Sequence, residues 1–406
     1  MGHREAILDA ATPLFYDQGF SRTTTDEIAA GAHITKRTLY RYFSSKEAIL
    51  LAVHEEVLGR LLGPVDLPDT ATDRFTALLG NYIDTVVSRG PEIQVFFEER
   101  KHLSPASLKK IVDLRDQQEE VFRATIRNGI SESAFRELDV PFVAEAILGA
   151  VASMYTWYRR DGELTPTDVT AAAADMFLHG LPAAIRDSAG GGDRGAPGAS
   201  ARPAGADLPV DYEEKASWDT NPVLNRILDA AAALFYERGY DMASTRELAD
   251  AAQLTKSALY YYVPNKESIL FQLNLRLTVD GIESLKAIRQ KSDDPVTALH
   301  DIFLWQCHAI ATNLGALRAL SDEMRFLDAE HYNQIRALRG EYTRLFSDAV
   351  RAATGAESGD VRGNVLGLLL LGMLNFMHHW YTPAGRLDPA QIGEAFFDLS
   401  WRGIAR

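Results

Sequence analysis

The sequence predicts an all-α protein built from two tandem copies of one helical unit. Three observations carry this reading. Residues 7–50 and 227–270 align without a gap at an offset of 220, and 22 of the 44 positions are identical. A period that long marks duplicated domains, because solenoid repeats run to about 20–50 residues. Leu, Ala, Glu and Arg recur at helical three- and four-residue spacing, while strand-like alternation is scarce. Residues 188–219 break the pattern: Gly, Ala, Pro and Asp dominate and no apolar period survives. That composition makes a flexible linker with a root-mean-square reach of roughly 30 Å, enough to set one copy beside the other.

The expected order is a small head at 1–48, a helical body at 49–187, the linker at 188–219, a second head at 220–268 and a second body at 269–406. Helices are expected in the first copy near 4–18, 25–31, 36–42, 46–62, 72–88, 91–101, 105–128, 141–160 and 166–186. The second copy repeats the set, with long helices near 266–290, 295–312, 329–352, 360–381 and 388–403. Both copies close a long apolar helix with Trp-Tyr (157–158 and 380–381), then a Gly-bearing turn, then a Pro that opens the last helix.

The net charge of −14 argues against a generic polyanion binder. Residues 1–50 carry six basic and six acidic side chains, so the acidity lies elsewhere and a local basic surface remains available. The single cysteine, Cys307, sits in an apolar helical context and reads as a core thiol in a reducing compartment. The first residues lack the apolar run of a signal peptide. The most apolar stretch, 365–377, is shorter than the roughly 20 residues that a bilayer span needs. It reads as a buried helix or a helix–helix interface, so the expectation is a cytoplasmic protein away from membranes.

Residues 24–47 carry the chemistry. Thr24-Thr25-Asp26-Glu27 is a capping box that opens a short helix, and Ser244-Thr245-Arg246-Glu247 repeats it. A tight turn follows, then Thr35 or Thr255 caps a second short helix. Two short helices joined in this way form a helix-turn-helix. Leu39 and Phe43 face inward at i and i+4, leaving Lys36, Arg37, Thr38, Tyr40, Arg41 and Tyr42 outside. A helix N-terminus with a lysine and hydroxyls suits phosphate, and Arg, Thr or Tyr suit major-groove edges. The plainer reading is a solvated helix face. Retention of Thr-Lys-x-x-Leu-Tyr-x-Tyr in both copies weighs against it.

TKRTLYRYFSSKEAIL and TKSALYYYVPNKESIL resemble the recognition helix and following helix of TetR/AcrR-type transcriptional regulators. The resemblance implies two such regulators fused in tandem, each a helix-turn-helix head on a ligand-binding and dimerisation body. It implies contacts with double-stranded operator DNA from Thr24, Thr25, Thr35, Lys36, Arg37, Thr38, Tyr40, Tyr42 and Lys46. The second head would use Ser244, Thr245, Thr255, Lys256, Ser257, Tyr260, Tyr262 and Lys266. The copies depart at Arg37/Ser257, Thr38/Ala258 and Arg41/Tyr261, which points to non-identical half-sites in an imperfect palindrome.

By the same resemblance the bodies hold a small-molecule effector. Candidates are Phe96, Phe97, Arg115, Tyr155 and Trp157 in the first, with Arg100 and Phe122 nearby. In the second they are Arg339, Tyr342, Phe376, His379 and Trp380, with Trp305, Met324 and Phe346. Core packing competes as the role of each aromatic. Arg115 and Arg339 occupy matching places and would hold an anionic ligand group or pair with an acid. The Trp-Tyr-x-x-x-Gly-x-Leu-x-Pro ending resembles the acyl-coenzyme A-sensing subset of these regulators, and Asn375-Phe376 fits that subset better than Ser153 does. The implied function is a ligand-responsive regulator, a repressor released by its inducer, that uses no cofactor. The chain would be an intramolecular pseudo-dimer through the last two helices of each copy, or pair as a homodimer. Enzyme motifs (HExxH, a Gly-rich phosphate loop, a Ser nucleophile elbow) are missing from the sequence. A protein-binding adaptor with a DNA-inactive head is the alternative class.

Overall fold

The computed structural model describes residues 2–61, 68–162, 164–181, 221–240, 242–320, 323–356 and 361–405. The linker expected at 188–219 lies outside them, as do 182–186 at the end of one expected helix. The described residues fall into two compact units. Unit 1 is Met1–Gly180 with Arg402–Arg406, and unit 2 is Leu181–Trp401.

Unit 1 opens with α1 (His3–Arg22), α2 (Thr25–Gly31) and α3 (Lys36–Tyr42). α4 (Lys46–Leu61) leads into the body: α5 (Ala71–Ser88), α6 (Gly90–Glu98), α7 (Pro105–Ser131), α8 (Val140–Ala152), α9 (Met154–Trp157) and α10 (Pro166–His179). Unit 2 repeats the head as α11 (Pro222–Arg238), α12 (Thr245–Ala251) and α13 (Lys256–Tyr262). Its body is α14 (Lys266–Lys291), α15 (Pro295–Thr312), α16 (Leu314–Leu320), α17 (Ala329–Thr354), α18 (Val361–Trp380) and α19 (Pro389–Arg402). Among the described residues every regular element is helical; one isolated bridge joins Phe135 and Ala405.

Each head is a three-helix core. Ile7, Phe15, Ile28 and Leu39 are fully buried in the first, and Ile227, Phe235, Leu248 and Leu259 play the same part in the second. Phe43 points inward as expected. α1 departs from helical geometry at Gly19 (φ 81°), close to the boundary expected at residue 18. Behind the heads, α6 packs on α1 and α4, and α16 packs on α11, so the body touches the first helix of each head.

Two expectations change in detail. The helix expected over 141–160 breaks at Ser153. Its hydroxyl donates to the Ala150 carbonyl (2.7 Å), and Thr156 in turn donates to the Ser153 carbonyl (2.8 Å). Such local side-chain bonds compete with the helical ladder. The helix expected over 166–186 turns at Gly180, where φ is 83°. The apolar run 365–377 lies within the long helix expected there, Val361–Trp380. Val361–Trp380 and the segment Val140–Trp157 both have the length and composition of a membrane span, yet 61% of each window is buried inside the protein. We assign both to the packed core. Cys307 is fully buried, and burial pushes its thiol well above the usual range, as a core thiol requires.

Candidate nucleic-acid interface and effector body

The two helix-turn-helix elements are framed by the same hydrogen bonds. Thr24 accepts from the Glu27 amide (3.2 Å) while the Glu27 carboxylate accepts from the Thr24 amide (2.7 Å). Ser244 and Glu247 do likewise at 3.2 and 2.9 Å. These bonds hold the Glu27 and Glu247 carboxyls below their ordinary range. Thr35 caps α3 by accepting from the Thr38 amide, and Thr255 caps α13 by accepting from Ala258, both at 3.1 Å. The turn between the short helices needs a left-handed residue, and neither copy spends a glycine there: His33 has φ 54° and Gln253 has φ 56°. A residue with a Cβ is strained in that region by about 1–2 kcal/mol. His33→Gly and Gln253→Gly are therefore each expected to raise stability by about 0.5–1 kcal/mol after the added chain entropy of glycine. Urea melts of the two variants check this.

With the frame fixed, the outward residues fall on one exposed face. Tyr40 (46% exposed) and Tyr260 (43%) lean on their neighbouring helices through Thr25 (3.3 Å) and Thr245 (3.4 Å). Arg37, Tyr42, Ser257 and Lys256 are exposed or, like Tyr262, partly so. Tyr42 is braced by Arg41, whose guanidinium lies 5.3 Å from the ring centre. Thr24, Thr35, Ser244 and Thr255 lie on the same face but already serve as caps, and Thr35 also bonds the Thr38 hydroxyl (2.9 Å). Lys46 and Lys266 are differently placed. The Lys46 ammonium donates to the carbonyls of Phe20 (2.5 Å) and Thr23 (2.7 Å) and lies 4.2 Å from the Phe20 ring centre. Lys266 does the same with Tyr240 and Ala243. Both lysines fasten the end of the first helix to the start of the helix that enters the body.

Four residues of this face lie outside the contact set expected from sequence. Asp26 forms an ion pair with Lys36 (2.7 Å), and its counterpart is Arg246. Arg41 and Tyr261 share a position, and Tyr261 is 83% exposed. The gapless alignment of the copies holds the signal: each lies where exposed charge or size changes while the core positions stay apolar.

Two joints tie head to body. Glu47 accepts from the Ser104 amide and the Ser107 hydroxyl, both at 2.8 Å, which fixes the start of α7 against α4. In the second copy Glu267 meets the Asp328 amide (3.3 Å) and His331 Nδ1 (2.8 Å) at the start of α17. Arg318 of α16 adds a link that sequence reasoning missed. It donates to the carbonyls of His378 (2.6 Å) and Tyr381 (2.8 Å) at the end of α18, and to the Tyr236 hydroxyl on α11 (3.2 Å). A basic side chain on helix-terminal carbonyls is favourable, but its partners are 60 or more residues away and leave no local trace.

The effector candidates separate into clusters. In unit 1, Phe96, Phe97 and Tyr155 form a ring series with centroids 5.1 and 5.7 Å apart, and His54 packs on Phe96 at 5.0 Å. Burial pushes His54 down to about 4, so it stays neutral. Trp157 bonds Ser153 (3.5 Å). Arg115 stands apart from the rings and pairs with Asp116 (3.8 Å). It lies near a polar cluster of Glu119, Glu145, Arg123 and Tyr82 on α5, α7 and α8. Arg123 pairs with Glu119 (2.8 Å). Burial, and then the hydrogen bond and charge of Glu119, push Glu145 from its ordinary 4.5 up to about 8.

A carboxyl whose folded pKa is raised holds its proton more tightly in the folded state. The stabilisation is full below about pH 4.5 and is lost as pH climbs through 8. Unit 1 is thus expected to lose stability between pH 5 and about 8.5, and Glu145→Gln to flatten that slope. Thermal melts across the range, wild type beside variant, check it.

In unit 2 the matching helices carry a neutral network. Tyr342 donates to the Gln306 amide oxygen, and Gln306 donates to Asn375 (2.7 Å). Arg339 pairs with an amide rather than an acid: it donates to Asn274 Oδ1 (2.9 Å). Phe376 and His379 lie 4.4 Å apart, and Trp380 meets Phe396 at 6.2 Å.

The heads at 7–53 and 227–273 both match the family model described as bacterial regulatory proteins, tetR family. The bodies at 68–181 and 292–404 both match the model described as tetracyclin repressor-like, C-terminal domain. The chain belongs to the TetR family. It is a tandem duplication of a TetR-type transcriptional regulator. KstR2 of Mycolicibacterium smegmatis, an HTH-type transcriptional repressor, is 28% identical over 184 residues, which cover 44% of this chain and 90% of KstR2. The fatty acid metabolism regulator protein of Bacillus subtilis is 23% identical over 189 residues, 43% of this chain and 93% of that protein. The crystal structure of the TetR-type regulator PfmR from Thermus thermophilus covers 42% of this chain and 95% of its own, at 29% identity and a TM-score of 0.40. Each of these TetR-type relatives corresponds in length to about one copy.

Proposed function

We propose that the chain is a cytoplasmic repressor whose two heads read the two unequal halves of one operator, and whose bodies release it when an effector binds. The single observation that carries this is the pairing of an equivalent frame with a different exposed face. The caps keep a hydroxyl, the buried positions stay apolar and the Thr-Lys-Tyr set repeats, while Asp26/Arg246, Arg37/Ser257 and Arg41/Tyr261 differ. One helix-turn-helix makes too few contacts for specificity; two joined in one chain act at an effective concentration up to the millimolar range. We read the chain as a single pseudo-dimer, so its mass in solution is expected at 44.9 kDa, and a value twice that would mean pairing of chains.

Arg37 is the base reader of the first head. Arg37→Ala is expected to weaken binding by about 1–3 kcal/mol, the span of one bidentate base contact. The loss is expected at one half-site only. Selection of operators from a random pool, run with wild type and variant, reads this out. A strictly symmetric selected site, or a loss spread evenly over all sequences, would contradict it.

The effector we propose is an acyl-coenzyme A thioester. Its support is the Trp-Tyr ending with Asn375-Phe376, together with the lipid-metabolism name of one relative. An effector releases DNA only if it favours the non-binding state, because equal affinity for both states shifts nothing. The Arg318 link and the Glu47 and Glu267 joints are the members that carry such a shift to the heads. Thermal-shift screening over acyl chain lengths tests the ligand class. At a hundredfold excess over Kd a true ligand stabilises by about 2.7 kcal/mol. Absence of any shift at every chain length removes the proposal.

A further inference from the structure

The last residues of the chain complete a unit that the rest of the second copy does not belong to. Residues 181–401 group as unit 2, while Arg402–Arg406 group with unit 1. The reason lies at the end of α10. A helix leaves its final carbonyls without intrahelical partners. The Gly180 amide takes the Met176 carbonyl (2.9 Å), and the next two carbonyls are taken by the chain's own terminus. Ile404 donates to Phe177 and Ala405 donates to Leu178, both at 2.8 Å.

The other edge of the same segment is paired too. The Arg136 amide donates to the Ile404 carbonyl (2.9 Å), and Arg136 Nε donates to the Gly403 carbonyl (2.7 Å). Phe135 and Ala405 form an antiparallel bridge. Ile404 is fully buried. Gly403 permits the approach: its φ is 67°, and a Cβ there would stand 2.3 Å from the Leu178 carbonyl oxygen and 2.6 Å from the Gly180 nitrogen. Both contacts are backbone, so neither can swing aside.

Gly403 ends the last helix of the second copy as Gly180 ends that of the first, again with positive φ. The residue after each, Leu181 and Ile404, is fully buried. We infer that residues 403–405 are a latch: a strand-like cap that the second copy supplies to the first, sealing α10 and the turn after α7.

Hydrogen exchange on the full chain tests it. Gly403→Val, and separately deletion of 403–406, are expected to raise exchange at least tenfold in peptides covering 129–137 and 174–180, with residues 24–46 unchanged. Ile404→Ser, which keeps the backbone, serves if either of those fails to fold; it is expected to give the same pattern at lower amplitude. Unaltered exchange in both peptides overturns the latch. Light scattering on the wild type reports separately: a mass of two chains overturns the single-chain reading, while the exchange result still decides the latch.

Discussion

Replacing Lys36, Tyr40, Lys256 and Tyr260 together with alanine is expected to lower operator affinity by about a thousandfold, about 4 kcal/mol, the lower end of the gap between specific and non-specific binding. All four side chains are exposed, and none belongs to the head cores. The bonds they give up are an exposed ion pair and two hydroxyl contacts, at Asp26, Thr25 and Thr245. Exposed pairs of this kind contribute little to folding. Circular dichroism and melting temperature are therefore expected to stay at wild-type values, which assigns the loss to the interface. Lys36 carries an additional feature. In the proposed complex Asp26 would compete with a DNA phosphate for its ammonium, whereas Arg246 in the second head adds a positive charge instead. The salt dependence of binding is expected to flatten in the variant, since fewer counterions are displaced.

Gly129→Val is expected to destabilise unit 1 by about 4 kcal/mol, because the valine ejects a buried ring and forfeits what a Phe→Ala change forfeits in a core, about 3–5 kcal/mol. A Cβ at this position would sit 2.1 Å from the nearest atom of the Phe135 ring, with two further ring atoms under 3.0 Å. That ring is fully buried and meets Phe75 edge-on at 6.2 Å. The turn that places it folds back on α7, with the Ala134 and Phe135 amides both donating to the Gly129 carbonyl (2.9 and 3.0 Å). Denaturant melts give the number. In Gly129→Val with Phe135→Ala the two losses are expected to fall short of additive, because both remove the same packing. A single-variant loss under about 1 kcal/mol, the ordinary cost of a point substitution, would contradict this account of the turn.

The heads were legible in the sequence because their determinants are local. Capping boxes at Thr24 and Ser244, apolar spacing at Leu39 and Phe43, and a second copy for comparison fixed the elements almost to the residue. The left-handed turn at His33 and Gln253 was hidden, since neither position holds the glycine that usually marks positive φ. The break at Ser153 was hidden as well, because a hydroxyl within a strong apolar period does not show which carbonyl it will take. The bodies were legible as helices but not as sites. Arg115 and Arg339 occupy matching places, yet one pairs with an acid and the other with an amide, and those partners are set by packing. The resemblance gives Lys46 and Lys266 as operator contacts; that each also donates to carbonyls at the end of the first helix of its head and the loop after it is set by packing and leaves no local trace. Least visible of all was the terminal latch, whose partners lie more than 200 residues away.

The central claim is that two different heads of one polypeptide read one duplex. Footprinting of the chain on its own upstream DNA, with the mass of the complex measured in the same sample, tests it most directly. The expected result is two protected half-sites about one helical turn or more apart, unequal in sequence, with one chain of 44.9 kDa per duplex. Protection of a single half-site, or two chains on the fragment, would contradict it.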